Sequence, residues 1–301
     1  MSWLLQYFVT VTVFVQTFNC INSTPDTDLL TNEYVLQLNP RNLNFVEEVG
    51  RKYNLTLLRQ LLSDTYLFLK SDQPARFNRG NYTRTMDDFR TAVGNKVTSI
   101  EQQKLRKFSQ PEVEKMTWRD RKVYPDVQNR DYYGMGVEEV WKMGYTGKNV
   151  IVAIVDIGVE MNHIELYPNM NMNLSYSFVD NNRDANPPIH SNYADKVDID
   201  HGSNCAGLVA GVKHNQFCSA GVAPDAKLAS IRFIDEDGYS TEARLESALR
   251  HNDSNIDIYS SSWALPEFPF ADVGPHYQHT LLEGVEKVFQ YLSIKFTRLV
   301  F

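Results

Sequence analysis

The chain has 301 residues, 43% of them apolar, and its bulk composition is that of an ordinary globular protein with room for one large core and a smaller second one. Its net charge of −7 is unevenly spread: from Asp156 to Asp272 there are 18 acidic against 7 basic residues, a local −11. Such an acidic half argues against a nucleic-acid partner and favours cationic ligands.

The amino terminus, Trp3 to Phe18, is apolar, short for a membrane span and interrupted by Thr and Gln, and polar Asn22-Ser-Thr-Pro-Asp26 follows it. It reads as a secretory signal over residues 1–23, although no Lys or Arg precedes the apolar run. No later stretch reaches spanning length, so no membrane span is expected once the signal is removed. Sequons at Asn22, Asn54, Asn81, Asn173 and Asn252 are compatible with secretion.

Asn32 to Leu38 alternates as a half-buried strand. Leu43 to Tyr53 has helical spacing, with Phe45, Val46, Val49 and Tyr53 on one stripe and Asn54 placed for a left-handed cap. Thr65 to Leu69 reads as a second strand. Strand, helix, strand in so short a stretch predicts a small α+β sandwich separate from the main sheet. From Ser71 to about Asp126 the chain is polar and basic and reads as linker, with clusters Arg76-Phe-Asn-Arg79, Lys104-Leu-Arg-Lys107 and Arg119-Asp-Arg-Lys122.

A short helix is predicted at Val137 to Trp141, followed by Gly144-Tyr-Thr-Gly147 and a strand, Val150 to Asp156, apolar on both faces like a buried parallel strand. That strand delivers one carboxylate, Asp156, at its carboxyl end, where α/β sheets place ligands. His201-Gly-Ser-Asn-Cys205-Ala-Gly207 then puts a histidine at the mouth of a small-residue helix able to pack close to the sheet. Further strands are predicted at Lys227–Arg232 and Asp257–Ser261, with a helix from Thr241 to about His251 between them, an alternation that signals a parallel sheet.

Asp156 and His201 supply two groups of a Ser-His-Asp hydrolase in the chain order Asp, His, Ser of subtilisin-type enzymes. No Gly-Thr-Ser or similar nucleophile turn follows His201. Gly238-Tyr-Ser240 lies in an acidic loop without a strand-to-helix turn and is rejected as a nucleophile. His163 has no second histidine at ligand spacing and reads as structural. Cys205 reads as a small buried hydrophobe. Cys20 leaves with the signal or sits beside it, and Cys218, in a loop, calls for a partner that the remaining sequence lacks. The missing serine and the unpartnered Cys218 both lead to the expectation that the carboxyl-terminal part of the fold is lacking.

In order and spacing, Gly144-Tyr-Thr-Gly147, Asp156-x-Gly158, Asn162-His163, His201-Gly-Ser-Asn-Cys-Ala-Gly207, Cys218-Ser-Ala-Gly-Val-Ala223 and Asp257-Ile-Tyr-Ser-Ser-Ser-Trp263 resemble the kexin/furin-like proprotein convertases of the subtilisin superfamily. The resemblance runs from about Asn32 to Pro275 and implies an α/β fold: a subtilisin-like parallel sheet flanked by helices, incomplete, preceded by a small α+β ferredoxin-like pro-domain. The division it implies is signal 1–23, pro-domain 28–107, basic linker 108–130 with processing sites, and the first part of the catalytic domain over 131–301.

By resemblance, Asp156 orients the imidazole of His201, which acts as general base and then as acid. Ser262 and Trp263 edge the substrate cleft, while Asp198 and Glu242 face basic substrate side chains. Structural Ca²⁺ is implied at Asp126, Glu165 and Asn215 with the carbonyls of Val212, Phe217 and Ser219. Processing is implied after Arg79 and at Lys107 or Lys122. The partners implied are basic protein or peptide substrates and the chain's own pro-segment as intramolecular inhibitor. The setting is extracellular or within the secretory lumen.

Departures from the family pattern carry their own expectations. Ile157 stands where convertases usually have an acid, and Ala264-Leu-Pro-Glu-Phe268 replaces the run that brings an acid to the primary pocket, which puts dibasic specificity in doubt. With the oxyanion Asn and nucleophilic Ser both without counterpart, no activity is expected of the 301-residue chain. The alternative expectation is a non-catalytic product whose pro-segment binds or inhibits a full-length relative. No histidine precedes His163, so an acid-sensing histidine trigger in the pro-segment is not expected.

Overall fold

The structure, a computed structural model, describes residues 29–38, 43–78, 97–108, 136–189, 199–213, 215, 220–263 and 290–293. The amino-terminal unit is an antiparallel sheet with one helix among these residues. It comprises β1 (Leu29–Leu38), α1 (Leu43–Tyr53), β2 (Leu55–Leu62), β3 (Thr65–Lys70), β4 (Arg76–Asn78) and β5 (Val97–Lys104). The strand order is β2-β3-β1-β4, with β5 also pairing β1. Because β3 lies between β1 and β2, the β1-α1-β2 connection is a split β-α-β unit, as in ferredoxin-like sandwiches. The stripe of α1 explains the docking: Val46 and Val49 are buried, Phe45 and Tyr53 half-buried, all against Leu36, Leu55, Phe68 and Ile100 of the sheet. Asn54 ends the helix at φ 54°, the left-handed cap that asparagine tolerates.

β4, β5 and the short β6 (Arg106–Lys107) fall in the stretch expected to be linker, which corrects that reading. The signal is weak for a physical reason: β5 buries only Ile100 and Gln103, with Gln102 half-buried and Glu101 and Lys104 solvated, so little apolar alternation survives. Residues 1–28, where the signal is expected, lie outside those described.

The second unit contains α2 (Val137–Lys142), β7 (Ile151–Asp156), β8 (Tyr176–Ser177), α3 (His201–Ala210), β9 (Lys227–Arg232), β10 (Tyr239–Ser240), α4 (Glu242–Leu249), β11 (Ile258–Ser261) and β12 (Gln290–Ser293). Its sheet runs β12-β11-β7-β9-β8, with every pairing parallel. β7 is central, so both its faces are covered. Ala153 and Val155, with Ile157 just beyond, join Ile231, Phe233 and the α4 residues Leu245, Ala248 and Leu249 on one side. Val152 and Ile154 meet Ala206 and Ala210 of α3 on the other. This is a subtilisin-like parallel sheet with helices on both faces.

The two units share a seam. Val35, Leu61 and Leu67 pack on Ala243, and the Ala243 amide donates to Gln103 Oε1 at 3.1 Å. Glu33, 4% exposed, receives Nε and Nη2 of Arg244 on one carboxylate oxygen, at 3.2 and 2.9 Å, and the Thr241 hydroxyl on the other at 3.3 Å. Arg76 bridges Asp235 and Asp237, at 2.5 and 2.8 Å, and β6 pairs antiparallel with β10. A cleft of about 570 Å³ lies along β2 at this seam, lined in part by Arg59, Tyr176, Phe178 and His251. Neither Asp156 nor His201 lines it. Among the described residues no helix is long and apolar enough to cross a membrane.

Candidate active site

Asp156 closes β7, so its carboxylate emerges at the carboxyl end of the central strand, the edge where parallel sheets put chemistry. Its Oδ1 accepts the Ile157 amide at 2.8 Å, and its Oδ2 accepts Nδ1–H of His201 at 2.9 Å, across 45 residues of chain. Asp156 and His201 are 1% and 4% exposed. Two glycines make the approach possible. Gly158 turns the chain at φ 121°, and a Cβ on Gly202 would lie 2.2 Å from the Gly158 carbonyl oxygen, so only glycine lets the first turn of α3 close on the strand end. Ser203 Oγ accepts the Glu160 amide at 2.9 Å and Ser230 Oγ the Val159 amide at 2.9 Å, pinning the loop after Asp156 to α3 and to β9.

Burial alone pushes the His201 imidazole down, but the Asp156 charge and hydrogen bond, with a contribution from Cys205, outweigh it and hold the ring above the ordinary histidine value. With Nδ1–H committed to the carboxylate, Nε2 is the nitrogen left for proton transfer. Cys205 Sγ lies 4.0 Å from Nδ1 and 3.9 Å from Nε2, one helical turn along α3. The ligating atoms of Asp156, His201 and Cys205 lie within 4.8 Å of one another.

Trp263 follows β11 after Ser262. Its indole N–H donates to the Val155 carbonyl at 2.9 Å, and its ring meets Phe108 and Phe233 at centroid distances of 5.1 and 5.0 Å. Glu242 opens α4 and pairs with Arg106 of β6 at 2.8 Å. Lys107 lies in β6 with its ammonium 5.8 Å from the Tyr239 ring centre. Phe108, assigned to the linker by sequence, is 4% exposed within the core of the second unit. Its burial escaped sequence reading because the only hint is one aromatic directly after a basic pair.

Glu165 is buried, and its carbonyl accepts the Val212 amide at 2.9 Å, so this acid and the loop after α3 share one locality, which Asn215 follows closely in sequence. Carboxylate, carbonyl and amide oxygens are the kinds of donor that Ca²⁺ prefers. Asp126, Asp198, Phe217, Ser219, Arg79 and Lys122 lie outside the described residues, as do Cys20 and Cys218.

Residues 147–281 match the Subtilase family. The chain is similar to the human protein named proprotein convertase subtilisin/kexin type 6, 40% identical over 138 residues, and to Drosophila melanogaster furin-like protease 2, 38% identical over 159. Those stretches cover 46% and 52% of this chain but only 14% and 9% of the relatives. In fold, fervidolysin of Fervidobacterium pennivorans, described as related to subtilisin, covers 90% of this chain and 40% of its own at TM-score 0.59 and 16% identity. The chain resembles kexin/furin-like convertases of the subtilisin superfamily, and its subtilase segment carries the Asp156–His201 pair.

Proposed function

We propose that this chain carries the acid–base half of a subtilisin-like serine endopeptidase of the proprotein convertase type, made as a zymogen in the secretory pathway and directed at protein substrates with basic residues. The observation that carries this reading is the 2.9 Å Asp156–His201 hydrogen bond at the end of the central parallel strand, inside the subtilase segment. Asp156 fixes the tautomer and orientation of the ring and stabilises the imidazolium. Nε2 takes the proton of a serine hydroxyl as the peptide carbonyl is attacked, then returns it to the leaving amine. The local −11 charge and the Glu242–Arg106 pair support basic ligands. The antiparallel β6–β10 pairing supports an inhibitory role for the amino-terminal unit, because strand addition of this kind is a mode by which extended peptides are bound. Ca²⁺ would be held by Glu165, Val212 and Asn215 and would brace the loop after α3. Chelation with EGTA is expected to lower the thermal midpoint by several degrees, restored by Ca²⁺ and not by Mg²⁺; an unchanged midpoint would remove the ion from the proposal.

The same docked strand favours a second reading, in which the 301-residue polypeptide is non-catalytic and its amino-terminal unit engages a full-length relative. Fluorophosphonate labelling separates the two. The 301-residue polypeptide, which has no Gly-Thr-Ser turn after His201, is expected to remain unlabelled, and covalent labelling would overturn that. A longer product containing such a turn is expected to label and to cleave basic peptides, with His201→Ala reducing kcat by roughly 10⁴-fold or more. Undiminished turnover in that variant would end the peptidase reading.

A further inference from the structure

We propose that the 570 Å³ cleft at the seam between the two units binds a small organic oxyanion, a carboxylate or phosphate borne on an aromatic body, through Arg59 and Arg250, and that the bound anion clamps the amino-terminal unit to the subtilase segment. Neither Asp156 nor His201 lines this cleft, so its ligand is independent of the peptidase reading. The walls come from both units. Arg59 and Gln60 belong to β2, Tyr176 and Phe178 stand at β8, and Arg250 and His251 follow α4. The volume falls among small-molecule sites, about 300–1,000 Å³, and is more than a bare ion fills. A ligand seated here touches both units at once, and anything that binds only the docked arrangement stabilises it.

Arg59 is a half-buried cation in want of a counter-ion. Its guanidinium lies over the Phe178 ring, 4.5 Å from the centre, and Nη2 donates to Asn181 Oδ1, a neutral acceptor. Its Nε is shut off from water and has no hydrogen-bond partner among the described residues. Burial pulls the guanidinium below its ordinary value; Tyr176 and Glu33 offset part of this, and Arg244 adds to it. Glu33 itself is committed to Arg244 and Thr241. Burying a charge without its partner is costly, so an anion entering the cleft relieves a cost the fold already carries. Arg250 lines the cleft as a second guanidinium, and such groups pair bidentately with carboxylate and phosphate. The carboxyl end of α4 opposes an anion with only about half a negative charge, against two full positive ones. Burial holds the His251 imidazole below its ordinary value against the pull of the Leu174 carbonyl, and Arg59 and Arg183 push it the same way, so that ring is a neutral wall. Tyr176 stands 4.8 Å from Phe178 and 5.4 Å from His251 between ring centres, an aromatic surface beside the charges for the body of the ligand.

The test is binding to the full chain, with phenyl phosphate as probe and inorganic phosphate and phenol as comparators, at an ionic strength held constant with chloride. Titration calorimetry is expected to show phenyl phosphate binding roughly tenfold or more tightly than either comparator, because it alone meets both the guanidiniums and the rings. Arg59→Gln and Arg250→Gln should each weaken it by roughly tenfold or more, and Arg250→Lys should retain more of the binding than Arg250→Gln. If Arg59→Gln does not fold, the two Arg250 variants make the same comparison. Saturating phenyl phosphate should also raise the thermal midpoint of the parent and slow its limited proteolysis by thermolysin at the seam, and do neither in the Gln variants. An absence of binding, equal binding by parent and Gln variants, or phenol matching phenyl phosphate would overturn the anion site. Inorganic phosphate matching phenyl phosphate would remove the aromatic body from the ligand, and binding that leaves proteolysis unchanged would refute the clamp.

Discussion

At the scale of single residues, the site is a buried ion-pairing problem. Asp156 can remain a buried carboxylate because the Ile157 amide and the His201 ring each satisfy one oxygen. The ring pays burial against that charge, and the balance favours its protonated form. The sign of the pH dependence follows. A histidine raised in the folded state gives stability that is fully present below its unfolded value of about 6.5 and lost as pH rises through the folded one. Urea melts should therefore show the parent's advantage over His201→Ala shrinking from about pH 6 toward strongly alkaline pH, and a constant gap would contradict the raised ring. For turnover in a longer product the sign reverses, because only the neutral imidazole can accept a proton, so the ascending limb should lie above the ordinary histidine value.

At the scale of elements, legibility tracked burial. The strand ending at Asp156, the strand Lys227–Arg232 and the helix Leu43–Tyr53 stand where their patterns put them, because each buries a continuous run or a clean stripe. β2 was hidden because its leucines do not alternate with burial, Thr56 and Leu57 being exposed side by side, β5 because its buried residues are few among charged and amide side chains, and β6 and β10 because two-residue strands have no periodicity at all. The Asp156 and His201 positions could be read from spacing, whereas the aromatic contacts of Phe108 join residues far apart in sequence and leave no local pattern. Thr241 shows the same limit. Its place ahead of α4 was legible, and its Oγ1 accepts the Arg244 amide at 3.2 Å, but its contact with Glu33 comes from 208 residues away. Thr241→Ala should cost about 1 kcal/mol for the lost cap, read from urea midpoints. A cost well above about 2 kcal/mol would show that the Glu33 contact outweighs the cap.

At the scale of the molecule, the question is what holds the amino-terminal unit on the subtilase segment. The Arg76–Asp237 pair is partly exposed on both sides and screened, so it adds little beyond orientation, while the other arm of Arg76 meets the buried Asp235. Glu33 with Arg244 is different, since the acid is buried and accepts two guanidinium bonds on one oxygen while the Thr241 hydroxyl occupies the other. Taking one member away strands the other: Glu33→Met alone should destabilise by about 3–5 kcal/mol, whereas the Glu33→Met, Arg244→Met double variant should recover most of the loss. A double-mutant cycle on chemical denaturation measures the coupling, and limited proteolysis at the seam reports whether the units have parted. Additive single costs would show that the pair does not bridge the units, and would leave the apolar contact of Val35, Leu61 and Leu67 with Ala243, the Ala243–Gln103 hydrogen bond and the β6–β10 pairing to join them.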